Sequence, residues 1–271
     1  METLIIERPS ENVALVRLNR PNKRNAMNGT MLDEIARTMS QLSEDPDVRC
    51  IVIAGNGKCF TAGIDINYLK DLFETHQGAD PARSGIIARP NIKAMQEKIS
   101  SLEKCSKPVI VAVHGLCIGA GVDFITAADI RYCTTDTIIS VREINIGMAA
   151  DIGTLQRLHK VVGNQSWARD LMFSGRDVKA AEATSHGLFS KCFESKEKVL
   201  EEALKLANEI ASKSPVAIVG IKKNLIYSRD HSVEEGLEFI LNWNSFALQT
   251  EDTVQAIFSA MQNTKAVFPK L

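Results

Sequence analysis

Two acidic side chains stand in an apolar, glycine-containing segment of this sequence. In VREINIGMAADIGTLQRL, residues 141–158, Glu143 and Asp151 are separated by seven residues, all apolar or glycine except Asn145. A carboxylate in apolar surroundings must be satisfied or it destabilises the fold. Because burial raises the pKa of a carboxyl group, such acids are suited to proton transfer near neutral pH. The segment is therefore a candidate for acid–base chemistry.

A third acid, Asp123, follows the small-residue turn IGAG, just inside a predicted helix whose N-terminus favours negative charge. Three acids meeting at one apolar cavity would have raised and separated pKa values. Structural alternatives stay open for two of them. Asp123 could merely support the first turn of its own helix, and Asp151 could cap the helix predicted in GTLQRLHKVVG. A structural explanation of Glu143 is harder to find, because it is not placed to cap a helix and Arg142 is its one obvious basic neighbour.

Two small-residue turns could supply backbone N–H donors close to these acids. FTAGID (60–65) and CIGAGVD (117–123) each follow a strand-like run and lead toward a helical pattern. Small residues let a ligand approach the backbone, and two facing helix-start N–H groups would form an oxyanion hole. The alternative is a pair of tight strand-to-helix turns. GNGKCF (55–60) lacks both the dinucleotide fingerprint and the P-loop lysine, so it does not indicate a phosphate site.

Strand and helix patterns alternate along the chain before it becomes mostly helical. Asn28 is predicted to cap a helix through about Leu42, a polar loop is predicted at HQGADPARSG (76–85), and a long amphipathic helix runs from Glu194 to Ser212. This order predicts an α/β core over residues 1–195 and a helical region over 196–271. Strands are predicted in the apolar runs LIIERP, NVALVRL, DVRCIVIAG, KPVIVAVHG and DIRYCTT.

Composition excludes several classes of function. The 271 residues are 45% hydrophobic and 24% charged, with a net charge of −1, and no basic block indicates nucleic-acid binding. No apolar run approaches the roughly 18 residues of a membrane span. The six cysteines are scattered without a CxxC pair, which favours reduced thiols in an intracellular compartment over disulfides or a metal site.

The two ends of the sequence bear on the cellular location of the protein. METLIIERPSENVALVRLNRP is strand-like and contains acids, unlike a mitochondrial or secretory leader. Pro269-Lys270-Leu271 is a variant of the serine-lysine-leucine peroxisomal address, with proline weakening the match. We therefore expect a peroxisomal protein that binds an import receptor through this tripeptide. The mitochondrion is the alternative, because a presequence could have been removed before this numbering begins.

Long sequence motifs resemble one known family. PVIVAVHGLCIGAGVDFITAADIRY, REINIGMAADIGTLQRL, FTAGIDI and LNRPNKRNAMN are similar to the crotonase (enoyl-CoA hydratase/isomerase) superfamily, in order from about residue 15 to 230. GVDF, VVGNQS and KSPVAIVGIKKNLIYSRDHSVEEGL resemble in particular its Δ3,5-Δ2,4-dienoyl-CoA isomerases. The resemblance implies a crotonase-type α/β spiral of repeated ββα units with a C-terminal helical trimerisation region. It also implies a homotrimer or a dimer of trimers acting on an acyl-CoA thioester.

The resemblance also implies where the substrate binds. The thioester carbonyl of acyl-CoA would lie between the backbone N–H groups of Ile64 and Ala120, forming the oxyanion hole. Relatives usually have glycine at position 120, so the methyl group of Ala120 must not crowd the thioester. The CoA nucleotide would contact the segment 22–26, whose alternative is a solvated basic turn. The implied substrate contacts are Ala62, Gly63, Ile64, Asp65, Ile66 and Ala120, and the implied CoA contacts are Lys23, Arg24 and Ala26.

The acid at position 151 separates the two main enzymatic predictions. Hydratases of this family have acids at positions 123 and 143 but none at 151, whereas the dienoyl-CoA isomerases have aspartate there. Asp151 therefore predicts conversion of 3,5-dienoyl-CoA to 2,4-dienoyl-CoA in β-oxidation of unsaturated fatty acids. Glu143 and Asp151 would move a proton from carbon 2 to carbon 6, and Asp123 would support them as a third catalytic acid.

The proposed proton transfer has consequences for the lining of the site and for cofactors. An apolar lining would keep water from the intermediate, and no metal, nicotinamide or flavin is required because no net redox change occurs. The alternatives are an enoyl-CoA hydratase, a Δ3-Δ2-enoyl-CoA isomerase and, in another class, a crotonase-fold scaffold or RNA-binding protein. The implied lining residues are Ile64, Ile146, Met148 and Ala149.

Overall fold

A computed structural model describes residues 1–74 and 80–271 of the chain. Within them the strands are β1 (Leu4–Ser10), β2 (Val13–Leu18), β3 (Cys50–Gly55), β4 (Val109–Val113), β5 (Leu116–Ile118), β6 (Ile130–Thr134), β7 (Ile138–Ser140), β8 (Val178–Lys179) and β9 (Lys191–Phe193). The helices are α1 (Gly29–Glu44), α2 (Ile66–Glu74), α3 (Pro81–Lys104), α4 (Ala120–Thr126), α5 (Thr154–Val161), α6 (Gln165–Ser174), α7 (Ala180–Ser185), α8 (Lys196–Ala211), α9 (Pro215–Ser228), α10 (Val233–Ala247) and α11 (Glu251–Met261).

The strands form a large sheet and a small sheet. The large sheet has the order β1-β2-β3-β4-β6-β9, antiparallel between β1 and β2 and parallel elsewhere. The small sheet has the order β5-β7-β8. In two successive units the chain passes from a strand of the large sheet to a strand of the small sheet before an α-helix follows: β4, β5 and α4, then β6, β7 and α5. This arrangement of ββα units, followed by C-terminal helices, confirms the predicted fold class.

The central strands of the large sheet are buried on both faces, as parallel strands commonly are. Alternate residues of β3 show this, because Ile51 and Ile53 join the main core while Val52 joins a second core under α8. Helix α8 can approach the sheet closely because alanines face it. The alanines in that second core recur every four residues, at Ala203, Ala207 and Ala211.

The sequence-predicted elements are confirmed with one exception. Each of the five apolar runs contains a strand, and Asn28 caps α1 by accepting a hydrogen bond from the N–H of Met31. The predicted loop at 76–85 is wrong over residues 81–85, which form the first turns of α3. There Asp80 accepts a hydrogen bond from the N–H of Arg83 and so caps the helix. Residues 76–79 lie outside the described part of the chain.

Helices α9, α10 and α11 carry many apolar side chains on their exposed surfaces. Val233 and Met261, for example, are 81% and 77% exposed in the single chain. Helix α8 begins at Lys196, and the predicted function of this region in subunit contacts stays a prediction. No helix in residues 1–74 or 80–271 has both the length and the apolar character needed to cross a bilayer.

Candidate active site

The two small-residue turns lie against each other. Gly63 has φ +94°, and a β-carbon on it would lie 2.7 Å from the carbonyl oxygen of Ile118 and 3.6 Å from the backbone nitrogen of Ala120. An L side chain would be strained at that φ, and here it would also meet backbone. Thr61 and Cys117 form an isolated bridge that joins the same two segments. Glycine at position 63 is therefore what lets the two turns meet.

Both backbone N–H groups expected to form an oxyanion hole are at the junction of these turns. Ile64 forms a parallel bridge with Met27, in which the N–H of Met27 donates to Gly63 and the N–H of Asp65 donates to Met27. The N–H of Ile64 consequently points away from that bridge. Ala120 is the first residue of α4, where an N–H has no intrahelical acceptor. Both groups are thus free to bind an oxygen.

Asp123 is fully buried in α4 and caps a different helix. Its Oδ1 accepts a hydrogen bond from the backbone N–H of Thr154, the first residue of α5. The residue preceding α5 is Gly153, which provides no side-chain cap, so the alternative of Asp151 as the cap is wrong. Asp123 supports α5 rather than the first turn of its own helix. Its Oδ2 is buried and has no hydrogen-bond partner in the described chain.

Glu143 lies in a short 3₁₀ helix, Arg142–Ile146, beside the turn that precedes α4. A β-carbon on Gly119 would lie 3.3 Å from Oε1 of Glu143, so glycine leaves room for this carboxyl group. The Oε2 atom is buried without a hydrogen-bond partner among residues 1–74 and 80–271. A carboxylate oxygen left unpaired next to two free N–H groups is available to a substrate proton.

Burial raises the pKa of all three acids, and the charge of a neighbouring acid adds to the effect at Glu143 and Asp123. Burial raises the pKa of Glu143 to about 7, with the negative charges of Asp123 and then Asp151 adding to the effect. Burial also raises the pKa of Asp123 to about 6, although its hydrogen bond from Thr154 opposes the change. Burial raises the pKa of half-buried Asp151 as well. Near neutral pH the cluster can hold both a carboxylic acid and a carboxylate, which proton transfer requires.

The expected apolar lining is not closed in the single chain. Ile64 and Met148 are half-buried, but Ala149 is exposed and Ile146 is 62% exposed. The expectation that these four side chains together exclude water is therefore wrong for the isolated chain. The physical reason is that Ile146 lies in the 3₁₀ helix on the surface, where no other described element covers it. Ile66, at the start of α2, is exposed to 80%.

The predicted CoA-binding segment forms an ordered surface turn. Lys23 and Arg24 are exposed, and Arg24 has φ +49° at the end of a 3₁₀ helix, Pro21–Lys23. The carbonyl of Arg24 accepts a hydrogen bond from the N–H of Ala62, so the turn is attached to the first small-residue segment. Buried Asn25 holds it from within by donating to the carbonyls of Asn56 and Cys59. The basic side chains of this turn therefore lie near the segment that contains the free N–H group of Ile64.

Several residues of the site had no signal in the sequence. Gln96 of α3 donates to the backbone carbonyl of Asp151, and Arg157 of α5 contacts Gly153. Arg157 also donates to Glu103 of α3 at 3.0 Å. The contacts of Gln96 with Asp151 and of Arg157 with Glu103 each span more than 50 residues of sequence, so no local pattern predicts them. Their common function is to hold the segment that carries Asp151.

The site combines two free backbone N–H groups with three carboxyl groups of raised pKa, an arrangement suited to acid–base chemistry on a substrate that develops a negative oxygen. The enoyl-CoA hydratase/isomerase family model matches residues 8–255. The chain is 48% identical over 262 residues to the mitochondrial Δ(3,5)-Δ(2,4)-dienoyl-CoA isomerase of Homo sapiens, covering 97% of this chain and 80% of that protein. It is 42% identical to the peroxisomal Δ(3,5)-Δ(2,4)-dienoyl-CoA isomerase of Arabidopsis thaliana, covering 94% of this chain and 91% of that protein.

The structure also resembles solved structures of enoyl-CoA hydratases. An enoyl-CoA hydratase from Bacillus anthracis superposes with a TM-score of 0.88 at 21% sequence identity, covering 98% of this chain and 99% of that chain. At that identity the likeness shows the fold alone. Because the family model spans most of the chain, the chain belongs to the enoyl-CoA hydratase/isomerase family.

Proposed function

We propose that this protein is a Δ3,5-Δ2,4-dienoyl-CoA isomerase, an enzyme that moves C=C bonds in the β-oxidation of unsaturated fatty acids. The observation that carries the proposal is the third carboxyl group, Asp151, whose charge acts on both Asp123 and Glu143. A reaction with two proton sites four carbons apart needs two separate acids. The relatives named as dienoyl-CoA isomerases, at 42–48% identity, support the same substrate class.

In the proposed reaction the N–H groups of Ile64 and Ala120 bind the thioester oxygen. One carboxylate of the pair Glu143 and Asp151 removes a proton from carbon 2, and the electron pair enters an extended dienolate. The other acid then protonates carbon 6. Each backbone donor is typically worth about 2.7–4 kcal/mol of transition-state stabilisation. The substrate loses one proton and gains another without net redox change, so the proposal includes no cofactor, and coenzyme A is part of the substrate.

Asp123 has a supporting function in this proposal. One of its oxygens is engaged with the N–H of Thr154, so it holds the start of α5 and, through it, the segment that follows Asp151. Its negative charge also raises the pKa of Glu143, which keeps a proton on the pair at neutral pH. Both effects depend on Asp123 remaining buried in α4 beside the turn that contains Ala120.

Ultraviolet absorbance tests the proposal directly. Isomerisation of 3,5-octadienoyl-CoA brings the diene into conjugation with the thioester, and the purified protein should produce that change. Asp151→Asn and Glu143→Gln should each lower kcat by about 10²–10⁴-fold, the range typical for general acid–base groups. Asp33→Asn is the matched control, because Asp33 is an exposed acid on α1 paired with Lys98. A protein that leaves the dienoyl-CoA unchanged while hydrating crotonyl-CoA would refute the isomerase proposal.

A hydratase is the second candidate, because Asp123 and Glu143 occupy the two positions that hydratases use. A hydratase would need both side chains to hold one water molecule. In this chain Oδ1 of Asp123 is engaged by Thr154, which leaves Oδ2 as its one atom for water. The crotonyl-CoA arm of the assay measures this activity, and we expect it to be minor.

We further propose a homotrimer or dimer of trimers in which α9, α10 and α11 contact neighbouring subunits. The support is the exposed apolar surface of these helices, including Leu237 and Leu241, each more than 60% exposed. A contiguous surface of this kind is typical of protein interfaces. Sedimentation should give three or six times the 29.8 kDa chain mass. Leu241→Glu should shift the mass downwards, and Glu234→Gln on the same helix should not.

For localisation we propose the peroxisome, with the mitochondrion as the alternative. Relatives carry either organelle in their names, mitochondrial for Homo sapiens and peroxisomal for Arabidopsis thaliana. The tripeptide Pro269-Lys270-Leu271 supports the peroxisome and would bind the import receptor. Removing it should leave a fluorescent fusion in the cytosol. Because Lys270 pairs with Asp47, Asp47→Asn is the matched control that breaks this ion pair and retains the tripeptide. Unchanged sorting after removal would contradict the proposal.

A further inference from the structure

A polar crevice of about 300 Å³ reaches Asp151 from the side of α3 and α5. Its walls include Gln96 and Ser100 of α3, and Gln156 and Arg157 of α5. Such a lining is unsuited to an apolar acyl chain. With roughly 30 Å³ per molecule in the liquid, the volume corresponds to about ten water molecules. The crevice is thus suited to water in contact with one of the three acids.

Hydrogen bonds fix the walls of this crevice. Arg157 donates to Oγ of Ser100 at 2.9 Å and to Oε2 of Glu103 at 3.0 Å. Glu103 also accepts from Arg229 at the end of α9. Since Gly153 has no side chain, Arg157 Nη1 can occupy the space that a β-carbon on residue 153 would take. The guanidinium group of Arg157 therefore packs against Gly153, and both residues line the crevice near Asp151.

The three acids differ in their exposure to the crevice. Oε2 of Glu143 and Oδ2 of Asp123 are buried and have no hydrogen-bond partner in the described part of the chain. Asp151 is half-buried and lines the crevice. Gln96 holds its backbone carbonyl at 2.8 Å, which fixes the segment at the crevice wall. Asp151 is the acid of the cluster that borders the polar crevice.

The proposed reaction requires proton exchange after each turnover. A C–H bond at carbon 2 breaks and its proton passes to one carboxylate, while the O–H bond of the other acid breaks as a C–H bond forms at carbon 6. The first group is then protonated and the second is a carboxylate, the reverse of the starting state. One proton must move between them, directly or through water, before the next substrate can react.

We propose that the crevice between α3 and α5 is the route by which Asp151 exchanges its proton with bulk water between turnovers, while Glu143 exchanges its own proton at the open substrate site after the product leaves. This inference rests on the isomerase function proposed above. It makes Gln156 a residue that affects turnover without touching the substrate. Gln156 is exposed and lines the crevice, so its side chain can be enlarged without disturbing the core.

Kinetics in H₂O and D₂O test this route with 3,5-octadienoyl-CoA. The unaltered protein in D₂O should give a 2,4-dienoyl-CoA that carries one solvent deuterium at carbon 6, measured by mass spectrometry and NMR. Gln156→Trp fills the crevice and should lower kcat about fivefold or more while KM stays within about twofold. Gln156→Leu, which keeps the volume, should have a smaller effect. Gln165→Trp on α6 is the matched control, since Gln165 is exposed and outside the crevice.

The outcomes separate this inference from the function on which it rests. If the unaltered protein does not isomerise the substrate, the proposed function fails. If it isomerises but the product contains no solvent deuterium, the two acids exchange their proton internally and the crevice route is refuted. If Gln156→Trp keeps both kcat and deuterium content, protons exchange through the substrate entrance and the route is likewise refuted. Circular dichroism and thermal melting verify that each variant is folded.

Discussion

Replacing Glu143 by glutamine should make the protein more stable in alkaline solution while removing its activity. The carboxyl group is largely buried, and its Oε2 has no hydrogen-bond partner in the described chain. At high pH the folded protein must hold a negative charge there, next to those of Asp123 and Asp151. Glutamine has nearly the same shape and carries no charge, so the variant avoids that cost.

The size and the sign of the effect follow from the pKa of Glu143. Burial raises that pKa from 4.5 to about 7. A carboxyl with a raised folded pKa stabilises the protein fully below its unfolded pKa, and the contribution is lost as pH rises through the folded pKa. At about 1.36 kcal/mol per pKa unit, the ionised group costs up to about 3 kcal/mol above pH 7. The advantage of Glu143→Gln should therefore grow between pH 4.5 and 7 and then stay constant.

Thermal unfolding at pH 5 and pH 8.5 measures this difference. For a chain of this size each kcal/mol shifts Tm by roughly 2–4 °C. Glu143→Gln should melt close to the unaltered protein at pH 5 and several degrees above it at pH 8.5. Glu209→Gln, in the exposed surface of α8, is the control for the general effect of removing one negative charge. Equal melting at pH 8.5, or a lower Tm for Glu143→Gln, would refute the interpretation of a buried, ionisable acid.

Two further variants test the backbone donors and the support of the Asp151 segment. Gly63→Ala should lower kcat/KM about 10²–10³-fold, because its β-carbon would displace the Ile118 carbonyl and the N–H groups beside it. Steady-state kinetics measure this, and a normal rate would contradict the assigned donors. Glu103→Gln should destabilise the protein by about 1–3 kcal/mol at pH 7 in denaturant titrations. Burial raises the pKa of Glu103, but hydrogen bonds from Arg157 and Arg229 lower it overall, so its contribution is lost as pH falls through the folded pKa. The difference between the two proteins should accordingly vanish in acid.

Local patterns were sufficient for most elements of the fold. The strands are apolar runs bounded by turn residues, and α1 begins where Asn28 can accept a hydrogen bond from Met31. These features depend on neighbours in sequence, so propensity and capping predict them. The loop predicted at 76–85 is wrong over residues 81–85, because Asp80 and Pro81 start a helix there and the polar composition concealed this capping signal.

The acids illustrate what the sequence by itself determined. It identified Asp123, Glu143 and Asp151, because carboxyl groups in apolar and glycine-rich segments need an explanation in chemistry or hydrogen bonding. It could not assign their partners. Asp151 was an acceptable cap for α5 by sequence, yet the cap is Asp123, 31 residues away from Thr154.

Tertiary structure alone decided the surroundings of the acids. The room that Gly119 leaves for Glu143 and the free N–H groups at the junction of two turns both arise between segments distant in sequence. The pKa values of the acids depend on burial and, for Glu143 and Asp123, on the charge of neighbouring acids, and both are set by the packing of the chain. The sequence specifies which groups can ionise, whereas only the packed chain specifies the distances between them and their exposure to solvent.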